Sequence, residues 1–243
     1  MEQVIYRAMR TAEDEHWWFV GRRAIVRSVL SRLPLPTSAR ILDIGCGTGG
    51  NLSLLSEYGE VVGIEPEDLA RELAQKRCAG VIYKGGLPGN LPPNLGAFDV
   101  VFMLDVLEHL DNDLAALRSV AKLLRPEGRI VIAVPAFPIL WGPHDEEHHH
   151  RRRYRRAMLA RRMADAGLTV ERITYFNTWL FPVACMVRLI GRLVPSRKKA
   201  AGLDIPPAPI NRFLAWVLGS ERHLIDKVAL PFGVSLLAVA HRA

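Results

Sequence analysis

From about residue 40 to residue 134, short apolar runs alternate with stretches of helical spacing. "RILDIG", "VVGIEP", "VIYKGG", "FDVVFML" and "RIVIAVP" are apolar runs of strand length, and their alternation with helices predicts parallel βαβ units. Between the second and third runs, "PEDLARELAQKRC" opens with proline at a first-turn position followed by acids, which predicts a helix start. Between the fourth and fifth, "NDLAALRSVAKLLRPEG" places Leu114, Leu117, Ala121 and Leu124 on helical spacing and predicts a helix stopped at Pro126 and Gly128. Further on, "RRAMLARRMADAG" reads as a helix, "LTVERITYF" alternates like a half-buried strand, and "GVSLLAVAHR" is a candidate last strand. Between those two strands lies an insertion of roughly 50 residues, longer than an ordinary connection. We place it at about 178–230, after a helical cap over 1–39 and within a main domain over 40–243. Inside it, Ile210, Phe213, Leu214, Val217, Leu218, Leu224 and Ile225 follow helical spacing, and "TWLFPVACMVRLIGRLV" is apolar with Arg188 and Arg192 one turn apart. There are no internal repeats and no low-complexity tract.

Composition narrows the class. With 243 residues and 49% hydrophobic content the chain can bury a full core. Cys46, Cys78 and Cys185 are odd in number and far apart, so neither a disulfide framework nor a cysteine zinc site is expected, and a reducing cytoplasm fits. The start, "MEQVIYRAMRTAEDEHWW", lacks a signal-peptide core, and no run of 18 apolar residues occurs, so the expectation is a chain neither exported by a cleavable signal nor spanning a membrane. The net charge of +7 is uneven: residues 41–140 hold 13 acids and 8 Lys/Arg, and seven arginines lie between Arg151 and Arg162. Such basicity suits an anionic substrate, a phospholipid surface or nucleic acid without choosing among them.

The chemistry is concentrated in "ILDIGCGTGG". Its glycines follow an apolar strand and precede a helix, where glycine lets the backbone turn tightly and approach a ligand. Gly45, Gly47 and Gly50 satisfy the dinucleotide spacing GxGxxG, whereas Gly45, Gly47 and Gly49 satisfy GxGxG. Glu65, at the end of the second strand, suits ribose hydroxyls in either case. Asp43 stands where a dinucleotide fold usually has an apolar residue, and with it "LDIGCGTGG" resembles the first motif of class I S-adenosylmethionine-dependent methyltransferases. "VVGIEP", "FDVVFMLDVLEHL" and "LRPEGRIVIAVP" carry the resemblance on, in order and spacing.

The resemblance implies an α/β fold: a doubly wound, Rossmann-like, seven-stranded, mostly parallel sheet whose last strand is antiparallel. It implies S-adenosylmethionine as cofactor and S-adenosylhomocysteine as product. Asp43, Gly45, Gly47 and Gly49 would cradle the amino-acid end and Glu65 the ribose. The family's usual acid after the third strand is replaced by "KGGLPGNLP", which leaves backbone contacts at Gly86 and Leu87. "LEH" after the fourth strand resembles the small-molecule branch that includes ubiquinone-pathway O-methyltransferases, making Leu104 a cofactor wall and His109 a candidate base, or, with Glu108, part of a network that shapes the pocket. The (N/D)PPY pattern of base N-methylation is missing there. In "EDEHWWFVGRRAIV" the resemblance sets Trp18 over the cofactor and Arg22 or Arg23 on its carboxylate, the other reading being Trp17 and Trp18 as core anchors.

"WGPHDEEHHHRRRY", residues 141–154, follows the fifth strand and therefore belongs to the substrate side of an open sheet. His144 and Asp145, then His150, Arg152, Arg153 and Tyr154, resemble a bacterial small-molecule subgroup. His150 and His109 are the candidate bases, with Arg152, Arg153 and Tyr154 orienting an anionic or hydroxylated acceptor. His144 and His148 have metal-ligand spacing if helical, but three adjacent histidines cannot share one face and methyl transfer needs no catalytic metal, so no metal is expected. The leading expectation is O-methylation of a lipid-like, glycan or secondary-metabolite acceptor, with peripheral membrane contact through the insertion. RNA or protein methylation and a non-catalytic cofactor-binding scaffold stand as alternatives.

Overall fold

The structure, a computed structural model, describes residues 3–193 and 204–243. Helices α1 (Gln3–Glu15) and α2 (Trp17–Leu30) come first, and the ring of His16 caps α2 by accepting the Trp18 amide. There follow β1 (Ala39–Ile44), α3 (Leu52–Ser56), β2 (Gly59–Glu65), α4 (Asp68–Gln75), β3 (Val81–Lys84), β4 (Phe98–Leu104), α5 (Asp113–Ala121) and β5 (Leu124–Pro135). The chain continues through α6 (Pro143–Glu147), α7 (Arg156–Asp165), β6 (Leu168–Phe176), α8 (Phe181–Leu193), α9 (Ala208–Ser220) and β7 (Ser235–Arg242).

The strands form one sheet in the order β3-β2-β1-β4-β5-β7-β6. β1 to β5 pair in parallel, and β7 runs antiparallel between β5 and β6. This is the expected mostly parallel seven-stranded sheet. The order reverses between β1 and β4, and a crevice for ligands opens at the carboxyl ends of strands beside such a reversal. β4 is buried along nearly its whole length, as a central parallel strand covered on both faces must be, while the edge strand β3 exposes Val81 and Tyr83.

One element differs from the sequence expectation. The helix expected to run to Pro126 ends at Ala121, and "LRPEG" opens β5. Leu124 pairs with Phe98, the register then slips before Val100 meets Arg129, and a Cβ on Gly128 would lie 2.7 Å from the Phe98 carbonyl oxygen. Gly128 therefore serves a close strand approach and not a helix stop.

The insertion is anchored at two points. Asn211 of α9 accepts the Trp17 amide at 2.8 Å and donates to the Glu15 carbonyl at 2.7 Å, tying α9 to the α1–α2 junction. Gly21 of α2 lets the helices cross closely, since a Cβ there would sit 2.8 Å from the Leu218 side chain. Glu221 accepts the Thr178 and Trp179 amides at 2.6 and 3.0 Å just beyond β6. The apolar row of the insertion is split: Leu218 of α9 and Ile225 beyond it are buried, whereas Ile210, Phe213 and Trp216 of α9 are exposed. α8 likewise exposes Val183, Met186 and Val187. The side chain of Arg192 and residues 197–199 lie outside the described part. Among the described residues no helix is long and apolar enough to cross a membrane.

Candidate active site

β1 ends in the glycine loop. Gly45, Gly47 and Gly49 take φ values of +70°, +56° and +89°, a left-handed backbone that glycine adopts without strain. Their surroundings differ. A Cβ on Gly45 would strike Val106 at 2.6 Å and one on Gly49 would meet Ala74 of α4 at 3.0 Å, so these two serve packing. At Gly47 the nearest atoms are the ends of two α1 side chains, Glu13 Oε1 at 3.7 Å and Met9 Cε at 3.9 Å, ordinary contacts with no backbone against this face, so Gly47 is the most open of the three. Glu65, at the end of β2, accepts the Gly47 amide at 2.9 Å and the Glu67 amide at 3.1 Å; burial raises its carboxyl against both bonds. Asp43 is buried, one of its oxygens has no hydrogen-bond partner, and burial pushes its carboxyl up to about 7 against the opposing pull of Arg22. An unpartnered carboxylate oxygen beside an open glycine cradle fits a ligand that carries hydroxyl or ammonium donors.

The rest of the cofactor set is distributed unevenly. Leu104 closes β4 beside this cradle, paired with Ala133 of β5. Arg22 is buried and forms an ion pair with Asp105, the residue after Leu104, while Arg23 donates to the Glu13 and Asp14 carbonyls. Either would have to leave its partner to meet a ligand carboxylate. Gly86 departs from the expectation: its amide and carbonyl both bond to Asn90, at 2.7 and 3.0 Å, so its backbone is already satisfied in a tight turn. Leu87 beside it is half-buried against the core. Trp18 departs as well, because its ring stacks on Phe176 at the end of β6, 5.8 Å between centroids. β6 is the edge of the sheet remote from β1–β2, so Trp18 packs toward that side and not over the glycine loop.

The second cluster lies at the ends of β4 and β5. The 3-10 turn Leu107–His109 and the loop after β5 bring the His109 and His150 rings edge to face at 4.8 Å. Asp145 organises the loop. Fully buried, it receives the His150 ring nitrogen Nδ1 at 2.9 Å, Arg153 Nε at 2.7 Å and the Gly142 amide at 2.9 Å, the last closing the first turn of α6. Burial would raise its carboxyl, but the His150 bond and the Arg153 guanidinium hold it well below the ordinary range. Desolvation and the neighbouring His150 push His109 down to about 4, which keeps that ring neutral.

Three residues expected to orient an acceptor are placed otherwise. Arg153 is buried against Asp145 and the Ala136 carbonyl. Tyr154 is fully buried, its ring in the core and its hydroxyl 3.1 Å from Asp113, and burial lifts its pKa far above the ordinary phenol range. Arg152 reaches back to Asp113 and the Asp111 carbonyl. They hold the loop onto α5 and the end of β5 and thereby position the histidines.

Backbone strain marks the same edge. Asp105, Phe137 and Asn177 follow β4, β5 and β6 with φ of 57°, 56° and 57°, and His149 has φ of 55°. Non-glycine residues in this region cost on the order of 1–3 kcal/mol each and persist where surrounding structure imposes them, as at functional sites.

Sequence reasoning missed the roof of the cradle, and it named Glu108 only as part of a network with His109. Tyr6, Met9 and Glu13 share one face of α1. Tyr6 is buried beside Glu65 and Glu67, and Glu13 is buried over Gly47 and Gly50 with a hydrogen bond from Thr48. Their spacing of three and four residues was the available signal. Glu108 is fully buried with neither carboxylate oxygen hydrogen-bonded.

The sequence pattern of the methyltransferase domain family matches residues 19–173. The chain is 32% identical over 97 residues to the ubiquinone biosynthesis O-methyltransferase of Vibrio campbellii, which covers 37% of this chain and 41% of that protein. It is 30% identical over 169 residues to the trans-aconitate 2-methyltransferase of Methylobacterium nodulans, which covers 65% of this chain and 62% of that protein. The chain thus spans less than two thirds of the length of either relative. Its fold is similar to that of the magnesium protoporphyrin IX methyltransferase of Synechocystis PCC 6803, solved with bound S-adenosylhomocysteine, at a TM-score of 0.55 and 17% identity over 93% of this chain and 85% of that one.

Proposed function

The chain belongs to the methyltransferase domain family, and from that premise we propose that it transfers a methyl group from S-adenosylmethionine to an oxygen of a small anionic or lipid-like acceptor, releasing S-adenosylhomocysteine. The observation that carries this reading is the placement of two clusters on one edge. The open Gly47 cradle with Asp43 and Glu65 ends β1 and β2, and the His109–His150 pair ends the neighbouring β4 and β5.

S-adenosylmethionine supplies an electrophilic sulfonium methyl, and the displacement at that carbon is in line. The chain's part is alignment, exclusion of water and handling of the acceptor's proton. Glu65 and Asp43 present carboxylate oxygens to ribose and amino-acid donors, and α1 covers the loop from above. Arg22, held by Asp105, joins the cradle to the end of β4. Asp145 fixes the orientation of His150 through Nδ1 and leaves Nε2 for the acceptor side, the arrangement a proton-handling imidazole requires.

Supplying methyl-labelled S-adenosylmethionine with a panel of hydroxylated and carboxylated small molecules tests the reading. Label in an O-methyl product is expected; label confined to RNA or protein contradicts it. The lipid-like part rests on the exposed apolar faces of α8 and α9, beside exposed Arg212 and Arg222, which suit an anionic bilayer surface. Flotation with anionic vesicles at low and physiological salt is expected to carry the protein upward, and its absence at both leaves the helices as a lid.

A further inference from the structure

Among the described residues, Glu108, His109 and His150 form a group whose donor atoms all lie within 4.8 Å of one another. We propose that these three side chains bind a divalent metal ion of the zinc class, with a fourth position open to an acceptor oxygen. Two imidazoles and one carboxylate with an open position are the donor set of catalytic, not structural, zinc. Ligand atoms around a tetrahedral zinc stand about 3.3–3.5 Å apart, so the three side chains draw together by up to about 1.5 Å on binding.

The second observation is the state of Glu108. It is fully buried, and neither of its oxygens has a hydrogen-bond partner. The cations nearby are spent elsewhere: Arg22 pairs with Asp105, and Arg153 and Arg188 pair with Asp145. An unpaired buried carboxylate is strongly unfavourable unless a cation or a proton neutralises it.

The surroundings of the imidazoles point the same way. Metal-binding histidines almost always give their second ring nitrogen to a carboxylate or a backbone carbonyl, which fixes tautomer and orientation. His150 gives Nδ1 to Asp145, itself held by Arg153 and the Gly142 amide, and His109 hydrogen-bonds the His149 backbone. The sequence predicts no metal, because three adjacent histidines cannot share one face and methyl transfer needs no catalytic metal. The structure avoids that obstacle by taking one ligand from the loop after β5 and two from the turn after β4. His144 and His148, the pair at helical spacing, lie tilted against each other with centroids 4.3 Å apart and each 6.0 Å from the His150 ring, forming a neighbouring imidazole shell.

The metal's role rests on the methyltransferase reading. An acceptor hydroxyl at the open position is acidified by the cation and gives its proton to solvent. Its oxygen pair then forms the O–CH3 bond as the C–S bond of the sulfonium breaks, and S-adenosylhomocysteine leaves as a neutral thioether. In this form the imidazoles meet the acceptor oxygen through the metal, not by direct proton transfer.

The test is titration of the purified, chelator-treated full chain with Zn2+ by calorimetry and with Co2+ by its visible ligand-field absorption. S-adenosylmethionine affinity is measured on the same samples. One equivalent of metal is expected, with affinity lowered by at least about 10-fold in His150→Ala and in the isosteric Glu108→Gln, and unchanged in the distant surface variant His223→Ala. If the wild type binds neither ion, or if His150→Ala and Glu108→Gln bind as the wild type does, the site is overturned. Normal S-adenosylmethionine affinity in those samples would show that the methyltransferase reading survives that failure, and it also reports that each variant is folded.

Discussion

The two halves of the sheet's carboxyl edge are built on different principles. At β1 and β2 the site is made by backbone: Gly47 at φ +56° leaves an open approach, and Glu65 accepts two main-chain amides. At β4 and β5 it is made by side chains from distant segments. Glu108 and His109 meet His150, and Asp145 orders the loop through His150, Arg153 and the Gly142 amide. A backbone site is specified by a short run of residues and serves one ligand class. A side-chain site depends on tertiary packing and can be rebuilt for different acceptors.

Substitutions should separate the halves, and the largest effect belongs to the backbone half. Gly47→Val adds a β-branched side chain at positive φ and closes the open face of the loop. It should cut S-adenosylmethionine affinity by at least about 100-fold in calorimetry while metal affinity stays at the wild-type level. In the side-chain half, His150→Ala should lower turnover by about 10-fold or more with S-adenosylmethionine affinity within about two-fold of wild type, measured once an acceptor is in hand. Equal losses of affinity in both variants would erase the distinction.

The third effect is on stability. Gly21→Val sets a side chain against Leu218 at the α2–α9 crossing, where a Cβ already falls at 2.8 Å. Denaturant unfolding should show a loss of about 1–3 kcal/mol. If the acceptor half depends on the insertion, turnover falls in this variant before cofactor affinity does.

The smallest effect concerns pH. Asp43 in the folded chain holds its proton up to about pH 7, whereas an unfolded aspartate releases it near about pH 4. The raised folded value means that ionisation favours the unfolded chain. Stability therefore falls as pH rises from about 4 to about 7, and the full cost is present above that. Asp43→Asn should remove the cost, raising the melting temperature of the cofactor-free protein at pH 8 by about 2–4 °C or more, with no difference near pH 4. The same variant should bind S-adenosylmethionine more weakly, which places the destabilising acid in the service of the ligand.

Legibility in the sequence followed the same division. The strands, the glycine loop and Glu65 were readable because local patterning sets them. The tight turn at Gly86 was not, since only the structure shows its amide and carbonyl taken by Asn90. Tyr154 and Arg153 looked like acceptor contacts because a tyrosine or arginine after a strand end reads the same whether it turns inward or outward. The ring of Tyr154 fills the core, and Arg153 answers a buried acid. Glu108 was read only as a neighbour of His109, because no local pattern reveals that the cations around it are already paired. "LRPEG" misled for another reason: proline and glycine end helices, but they also mark the irregular start of a strand.

The most direct test of the central claim, that the open glycine cradle and Glu65 hold S-adenosylmethionine, is equilibrium binding of the wild-type chain to S-adenosylmethionine and to NAD, measured side by side by calorimetry. Saturable binding of S-adenosylmethionine at about one equivalent, with no binding of NAD over the same concentrations, is the predicted result. Preference for NAD, or failure to bind S-adenosylmethionine by a folded wild-type chain, would contradict it.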